Sequence, residues 1–344
     1  MPNLPEANPL PDRPPVYLKG GNVVMASPLD VRETCFAIPA MRALRQARPT
    51  ATLAILTPAS LEPLWRTLTG INHFLVYPDG SPARRIATLL KKCPVRLESS
   101  FAWQAGKAAR AFAKARLPQR LGYDLPGLRR TLTDRFPAPS KTGPGCHRVR
   151  FYLAVLKRLK IDPYRPESFA TPRRGAPPVP PRVGLVPDSE LGPAYQWSLD
   201  NFESLASLLF DARELQLEIL APPQTNTRAS RLADSLRAPN LLPFTPPPDL
   251  RSLLGALRQC SVVVANDGLA AHLAALSGIP VVTLFGPGDP VATRPLGRMH
   301  TVLSEYRECS PCRQPLCPLR DHRCLRDLSP QRVLAAVQSH LDSH

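Results

Sequence analysis

The sequence predicts two consecutive α/β domains, each built on a parallel, doubly wound sheet. Three observations carry this. Short runs rich in Val, Ile and Leu alternate with stretches whose apolar residues recur at helical spacing. The alternation occurs twice, on either side of a Pro-rich stretch near the middle of the chain. The 344 residues suit two domains, and no apolar run approaches the roughly 20 residues of a membrane span.

In the first half, "GNVVMASP" reads as a strand and "CFAIPAMRALRQARP" as a helix. "ATLAILTP" is a second strand, "LEPLWRTLTG" a helix ended by Gly70, and "HFLVYP" a third strand. Ser81 and Pro82 start the helix "SPARRIATLLKKC". Next come the strand "VRLESS", the helical "FAWQAGKAARAFAKAR" and the strand "RLGY". The amphipathic "CHRVRFYLAVLKRLKI" closes the domain. The second half repeats the scheme. "RVGLVP", "QLEILAP", "SVVVA" and "PVVTLFG" are strands, and Ser198 caps the helix that follows the first of them. "TRASRLADSLR", "DLRSLLGALRQC" and "DGLAAHLAALSG" are helices, the last ended by Gly278. Residues 1–18 read as a Pro-rich arm and 19–170 as the first domain. Residues 171–182, "TPRRGAPPVPPR", read as a stiff linker, with the boundary near Ala176, and 183–344 as the second domain. The N-terminal segment does not show the apolar core of a secretory signal, so the default expectation is the cytosol.

Charge narrows the partners. Lys and Arg number 44 against 27 Asp and Glu, a formal charge of +17. Such a surface attracts phosphorylated ligands, anionic lipid or nucleic acid, although a coding bias toward Arg and Pro also produces it. No zinc finger or aromatic RNA-binding strand is present and aromatics are 6% of the chain, so nucleic acid is not expected. A phosphate-bearing substrate at an anionic membrane face fits better.

Chemistry concentrates in residues 261–290, "SVVVANDGLAAHLAALSGIPVVTLFGPGDP". A buried strand feeds a helix whose first N–H groups lack intrahelical partners and favour phosphate oxygens. Gly268 admits close approach of a ligand to the backbone. Asp267 accepts from a sugar hydroxyl or caps the helix, and His272 donates to an anion from one turn in. The plainer alternative is that Asn266 and Asp267 only cap and His272 only packs. A second Gly/Pro loop, with Gly286, lies at the same sheet end.

These residues resemble glycosyltransferase family 9, the lipopolysaccharide heptosyltransferases. The resemblance rests on "NDGLAAHLAALSGIPVVTLFGPGDPVATRPLG" and extends to "SPLDVRETCFAIPAMRAL", to "LESSFAWQAGKAARAFAKARLPQRLGY" and to "CHRVRFYLAVLKRL". It covers roughly residues 20–338. It implies a GT-B fold, two Rossmann-like domains facing across a cleft. It also implies a nucleotide-sugar donor such as ADP-heptose on the C-terminal domain and a lipid-linked oligosaccharide acceptor on the N-terminal one. Transfer would be inverting, with no metal or other cofactor needed for catalysis, at the cytoplasmic face of the inner membrane in peripheral contact with it.

That chemistry needs a carboxylate to take the acceptor proton and donors for the departing diphosphate. The family's Gly-Asp pair aligns with Arg32 and Glu33, which makes Glu33 the expected base and Asp30 the substitute. The alternative is that both are loop charges paired with Arg32. Where the family carries Lys before a Trp, this chain has Gln196 before Trp197. In place of the family's ribose-binding acid it offers Gln224 and Asn226. The family's Asn-Asp-Ser-Gly loop reads Asn266, Asp267, Gly268, Leu269. These departures leave two readings open, a heptosyltransferase or a catalytically impaired homologue that binds sugar nucleotides or serves an assembly. A basic nucleic-acid-binding protein is the third.

Cys309, Cys312, Cys317 and Cys324 are spaced C-x2-C-x4-C-x6-C, with His322 beside the last. A structural zinc, free or transiently oxidised thiols, and disulfides are all compatible with this spacing. Cys35, Cys93, Cys146 and Cys260 fall in or beside apolar segments and read as core.

Overall fold

The computed structural model describes residues 16–104, 106–139, 146–172, 175–236, 238 and 240–343. The expected arm over 1–18 falls outside these except for its last residues. Those are tied down: Val16 N donates to Arg158 O, and Gln119 Nε2 donates to Tyr17 O. The chain divides into two compact units between Ala170 and Thr171. The division precedes Ala176 because Thr171 and Pro172 pack on the second unit. A Cβ on Gly278 would lie 2.6 Å from Pro172 O. Arg182, expected at the end of the linker, is the first residue of a strand.

The first unit runs β1 (Asn22–Ala26), α1 (Val31–Ala47), β2 (Thr52–Pro58), α2 (Glu62–Trp65), β3 (His73–Tyr77) and α3 (Ala83–Lys91). It continues with β4 (Ser99–Ala102), α4 (Lys107–Lys114), β5 (Gln119–Tyr123), β6 (Asp134–Phe136) and α5 (Val149–Arg158). Its six strands are parallel in the order β3-β2-β1-β4-β5-β6, the doubly wound order of dinucleotide-binding folds. β4 begins later than "VRLESS" implies, since Val23 pairs with Ser99 and the Glu98 carboxylate accepts from Gly21 N and Asn22 N instead. The three-residue β6 carries too little pattern to be seen in sequence. Val24, Ala54, Leu56 and Leu75 of the sheet bury one face against Ile86, Leu90 and Phe112 of α3 and α4.

The second unit runs β7 (Arg182–Val186), α6 (Leu199–Ala212), β8 (Gln216–Ile219), α7 (Thr227–Ser235), α8 (Leu250–Arg258), β9 (Val262–Asn266) and α9 (Leu269–Leu276). After these come β10 (Val281–Phe285), α10 (Pro290–Thr293), β11 (His300–Ser304), α11 (Arg323–Arg326) and α12 (Pro330–Asp342). All strands are parallel, in the order β11-β10-β9-β7-β8, with β9 central. β9 and β10 are buried at every residue, so their apolar runs are continuous rather than alternating. Ser198 caps α6 by accepting from Asn201 N at 3.1 Å. Gly278, at φ +77°, ends α9. α12, not predicted, packs Val333 and Val337 into the core beneath Leu205 and Leu209. Among the described residues no helix is long and apolar enough to cross a membrane.

Candidate active site

In an open parallel sheet, ligands bind where the strand order reverses, beyond the carboxyl ends of the strands that flank the reversal. That place is between β7 and β9 in the second unit, and between β1 and β4 in the first.

The second-unit reversal brings together residues 187–190 after β7 and residues 266–268 at the end of β9. The sequence reading found the second group and missed the first. Asn266 is 1% exposed, and its amide is fully used by the fold. Its Oδ1 accepts from Trp197 N at 2.9 Å, and its Nδ2 donates to Pro187 O at 2.8 Å. It is a brace between β7, β9 and the start of α6 and has no amide atom left over for a ligand. Asp267 does not cap α9, whose N-cap is Gly268. Its carboxylate instead passes beneath Gly288, where a Cβ would overlap Asp267 Oδ2. Gly288 is therefore glycine to admit that carboxylate. Gly268 is glycine because the chain's own loop lies on it: a Cβ there would stand 2.8 Å from Glu190 Oε2 and 3.2 Å from Ser189 Oγ. The Glu190 carboxylate accepts from Leu269 N at 2.9 and 3.1 Å, so the first N–H of α9 holds an anion belonging to the protein. Ser189 Oγ donates to Asp267 O at 2.7 Å and fixes the same turn. His272 is 2% exposed in an all-buried helix.

The remaining second-unit candidates divide. Gln196 lies in the crevice turn, and its Nε2 donates to Ser189 O at 3.3 Å. Gly286 faces away from it. A Cβ on Gly286 would lie 2.6 Å from Leu325 Cγ, so this glycine admits α11 rather than a ligand. Gln224 is exposed in the turn before α7. Asn226 occupies the N-cap position of α7 without a side-chain cap. The capping falls to Asp188, which accepts from Arg228 N at 3.2 Å and Ala229 N at 2.8 Å. Burial pushes the Asp188 carboxyl up, while those two N–H groups and the Arg228 charge pull it down. Arg228, also missed, donates Nε to Pro187 O at 3.1 Å and Nη2 to Trp197 O. A guanidinium is thus fixed by two carbonyls of the segment between β7 and α6.

In the first unit the reversal opens into a cavity of about 170 Å³ lined by Ser27, Leu29, Asp79, Gln104 and Lys107 among others. Lys107 Nζ donates to Gly80 O at 3.2 Å. Asp30, next to Leu29, is exposed and N-caps α1 by accepting from Glu33 N at 3.0 Å. Glu33 is turned elsewhere. Arg148 Nε lies 2.8 Å from its Oε1 and Nη2 lies 2.8 Å from its Oε2, and the Tyr152 hydroxyl donates to Oε2. Glu33 forms its ion pair with Arg148. Both Glu33 oxygens are thus engaged by the guanidinium fork, and one of them also by the Tyr152 hydroxyl. Burial, and then the Glu33 charge, push the Tyr152 hydroxyl well above its ordinary range.

Cys309, Cys312, Cys317 and Cys324 line one cavity of about 410 Å³ with His322. None is in a disulfide. Among the described residues no three His, Cys, Asp or Glu side chains stand at the spacing of ligands to a single ion. Burial pushes the Cys317 thiol up, but N–H groups of His322, Leu319, Asp321 and Arg320 together bring it below its ordinary value. Burial and then the charges of Cys309, Cys312 and Cys317 push Cys324 up to about 11. Of the single cysteines, Cys35 and Cys260 are buried, whereas Cys93 and Cys146 are half-buried.

Comparison with known proteins bears on this geometry. Residues 163–322 match the model of glycosyltransferase family 9 (heptosyltransferase). The chain is 26% identical over 172 residues to lipooligosaccharide heptosyltransferase 2 of Campylobacter jejuni, a match covering 47% of this chain and 52% of that one. The chain spans about half the length of the curated relatives it matches. The structure of E. coli ADP-heptose lps heptosyltransferase II superposes with a TM-score of 0.73 at 20% identity, covering 94% of this chain and 99% of that one. A glycosyl transferase family 9 structure from Veillonella parvula gives 0.77 at 16%, covering 96% and 99%. At these identities the superpositions establish the fold, that of the GT-B heptosyltransferases. The matched residues 163–322 carry every strand of the second sheet, and over them the chain is similar to glycosyltransferase family 9, the heptosyltransferase family.

Proposed function

We propose that this protein transfers heptose from ADP-heptose to a lipopolysaccharide core acceptor, with inversion and without a catalytic metal, at the cytoplasmic face of the inner membrane. One observation carries the reading. The family match falls on the segment that builds the β7/β9 reversal, where a nucleotide-sugar site is expected on topological grounds. The Gln196 amide in the turn before α6, and the Arg228 guanidinium reaching from α7 to the loop after β7, are the groups offered to the diphosphate. The +17 charge of the chain favours an anionic acceptor and an anionic membrane surface. Asp30 is the better base. It is exposed beside the first-unit cavity, while Glu33 is clamped by Arg148 and Tyr152. This reverses the order expected from spacing.

The test is transfer by the full chain from ADP-heptose to heptose-free core lipid, followed by mass spectrometry. Asp30→Asn should lower the rate roughly 10²–10⁴-fold, the usual cost of removing a general base, with nucleotide binding retained. Glu33→Gln should cost more in stability than in rate. Similar small losses for both would place the base elsewhere.

A second reading, an impaired homologue that binds sugar nucleotides, is favoured by Glu190 on the first N–H of α9 and by Gln196 in place of a Lys. ADP binding with no transfer to any core acceptor would establish it.

A further inference from the structure

Several polar groups lining the first-unit cavity of about 170 Å³ are already used by the fold. Ser27 Oγ accepts from Trp65 Nε1 at 2.8 Å and donates to Pro28 O at 2.6 Å. Asp79 accepts from Ser60 N at 3.1 Å and from Ser60 Oγ at 2.6 Å. Two lining residues differ. Tyr77 is 6% exposed, yet no described residue hydrogen-bonds its hydroxyl. Burying a hydroxyl without a partner is costly, so the cavity suits an occupant that supplies one. Gln104 belongs to a chain of hydrogen bonds. Its Nε2 donates to the Tyr152 hydroxyl at 3.3 Å, and that hydroxyl in turn donates to Glu33 Oε2.

The polarity of this chain is set at its inner end. Glu33 is a carboxylate paired with Arg148, and a carboxylate only accepts. It takes the single proton of Tyr152, which leaves that hydroxyl only lone pairs to offer Gln104. The amide must then turn its NH₂ group to Tyr152 and its carbonyl oxygen away. No described residue donates to that oxygen, and Gln104 lines the cavity. We propose that Tyr152 is a positioning residue that holds the Gln104 carbonyl oxygen toward the cavity, where it accepts from a hydroxyl of a bound saccharide. That this saccharide is the sugar acceptor rests on the transfer reading above.

The ligand class follows from the groups beside that oxygen. A carbonyl oxygen recognises a hydroxyl or an ammonium. Lys107 lines the same cavity, and its charge disfavours a cationic ligand. The Asp79 carboxylate accepts, and the Tyr77 hydroxyl both donates and accepts. Together these groups suit a neutral or anionic ligand with several hydroxyls, which is what a saccharide offers.

The experiment measures KM and kcat for heptose-free core lipid with the full chain at saturating ADP-heptose. Calorimetry with the delipidated core oligosaccharide gives Kd, so recognition is read even where no transfer occurs. Gln104→Met keeps the length of the side chain and removes the acceptor. It should raise KM and Kd roughly 3–10-fold with kcat little changed, the effect of one hydrogen bond made equally in ground and transition states. Tyr152→Phe should raise both by as much, and the double variant should be no worse than either single one. Tyr123→Phe removes another buried hydroxyl of the same unit, which donates to Phe151 O. It should lower the melting midpoint and leave KM and Kd unchanged. Transfer by the parent, with KM and Kd unmoved in Gln104→Met or Tyr152→Phe, overturns the positioning role and leaves the transfer reading standing. Effects that multiply in the double variant also overturn it. Oligosaccharide binding without transfer, weakened alike by both substitutions, overturns the transfer reading and leaves the positioning role standing. A parent that neither transfers nor binds the oligosaccharide overturns both.

Discussion

Replacing Arg148 by Met is the sharpest test of how the first unit is held together. The guanidinium bridges both oxygens of Glu33, and the two side chains are 15% and 23% exposed. It also stacks 4.6 Å from the centroid of Phe151. Removing one partner of a fully buried pair costs about 3–5 kcal/mol, because the other charge is stranded. Partial exposure lets water reach Glu33, so a smaller loss of about 2–3 kcal/mol is expected. For a unit of this size each kcal/mol moves the midpoint by about 2–4 °C, which makes the expected shift roughly 4–12 °C. The chain has three tryptophans. Trp65 and Trp103 are in the first unit, and the Trp103 Nε1 donates to Tyr152 O at 3.3 Å. In a Trp197→Phe background, fluorescence-detected urea unfolding therefore follows the first unit alone. Glu33→Gln, Arg148→Met and the double variant form a cycle whose coupling should be about 1.5 kcal/mol or more. Additive effects, or an Arg148→Met loss under about 0.5 kcal/mol, would show that the pair contributes nothing beyond an ordinary surface bridge.

Other expectations follow from the same geometry. Burial, and then the charge of Asp79, push the Tyr77 hydroxyl up to about 12, while burial pushes Tyr123 and Tyr152 higher still. A raised tyrosine favours folding fully below the unfolded value of about 10 and loses that contribution as pH climbs through the folded one. Unfolding midpoints of the first unit should thus fall steeply above about pH 10, and a flat profile up to pH 12 would contradict the burial argument. Asn266→Ala removes the acceptor of the buried Trp197 N and one of the two donors to Pro187 O, so the second unit should lose about 1–3 kcal/mol in denaturant titration. A fully stable Asn266→Ala that binds ADP poorly would restore Asn266 to the ligand instead.

The sheets were readable in the sequence because both are parallel and buried. β2, β7, β9 and β10 appear as continuous apolar runs, and helical spacing marks α1, α5 and α6. β6 escaped because three residues cannot show a period, and α12 because a Cys-rich, aperiodic stretch precedes it. The seam at Asn266 was also readable, as a strand running into a helix with a glycine between. What each side chain does there was not. Whether Asn266 faces a ligand or braces Trp197 depends on which chain groups come within reach, and those lie 69 and 79 positions earlier in the chain. Glu190 carried no local signal for the same reason. Glu33 illustrates the converse: its position in the first loop was legible, but its partner Arg148 lies 115 residues away.

That last separation has a consequence for how the protein is made. α5 is the last helix of its unit, yet it packs on α1, the first. Tyr123 donates its hydroxyl to Phe151 O, Trp103 reaches Tyr152 O, and Glu33 waits for Arg148. A nascent chain that has emerged only as far as β6 would have its sheet residues translated but the α1 face of that sheet uncovered. Contacts so distant in sequence form late and slowly. Synthesis proceeds at about 5–20 residues per second, so the interval between β6 and the end of α5 is on the order of a second or more. During that second the aromatic residues Phe101, Trp103 and Tyr123 lack their cover, and the ribosome-bound intermediate is a natural substrate for chaperones that recognise exposed apolar sheet.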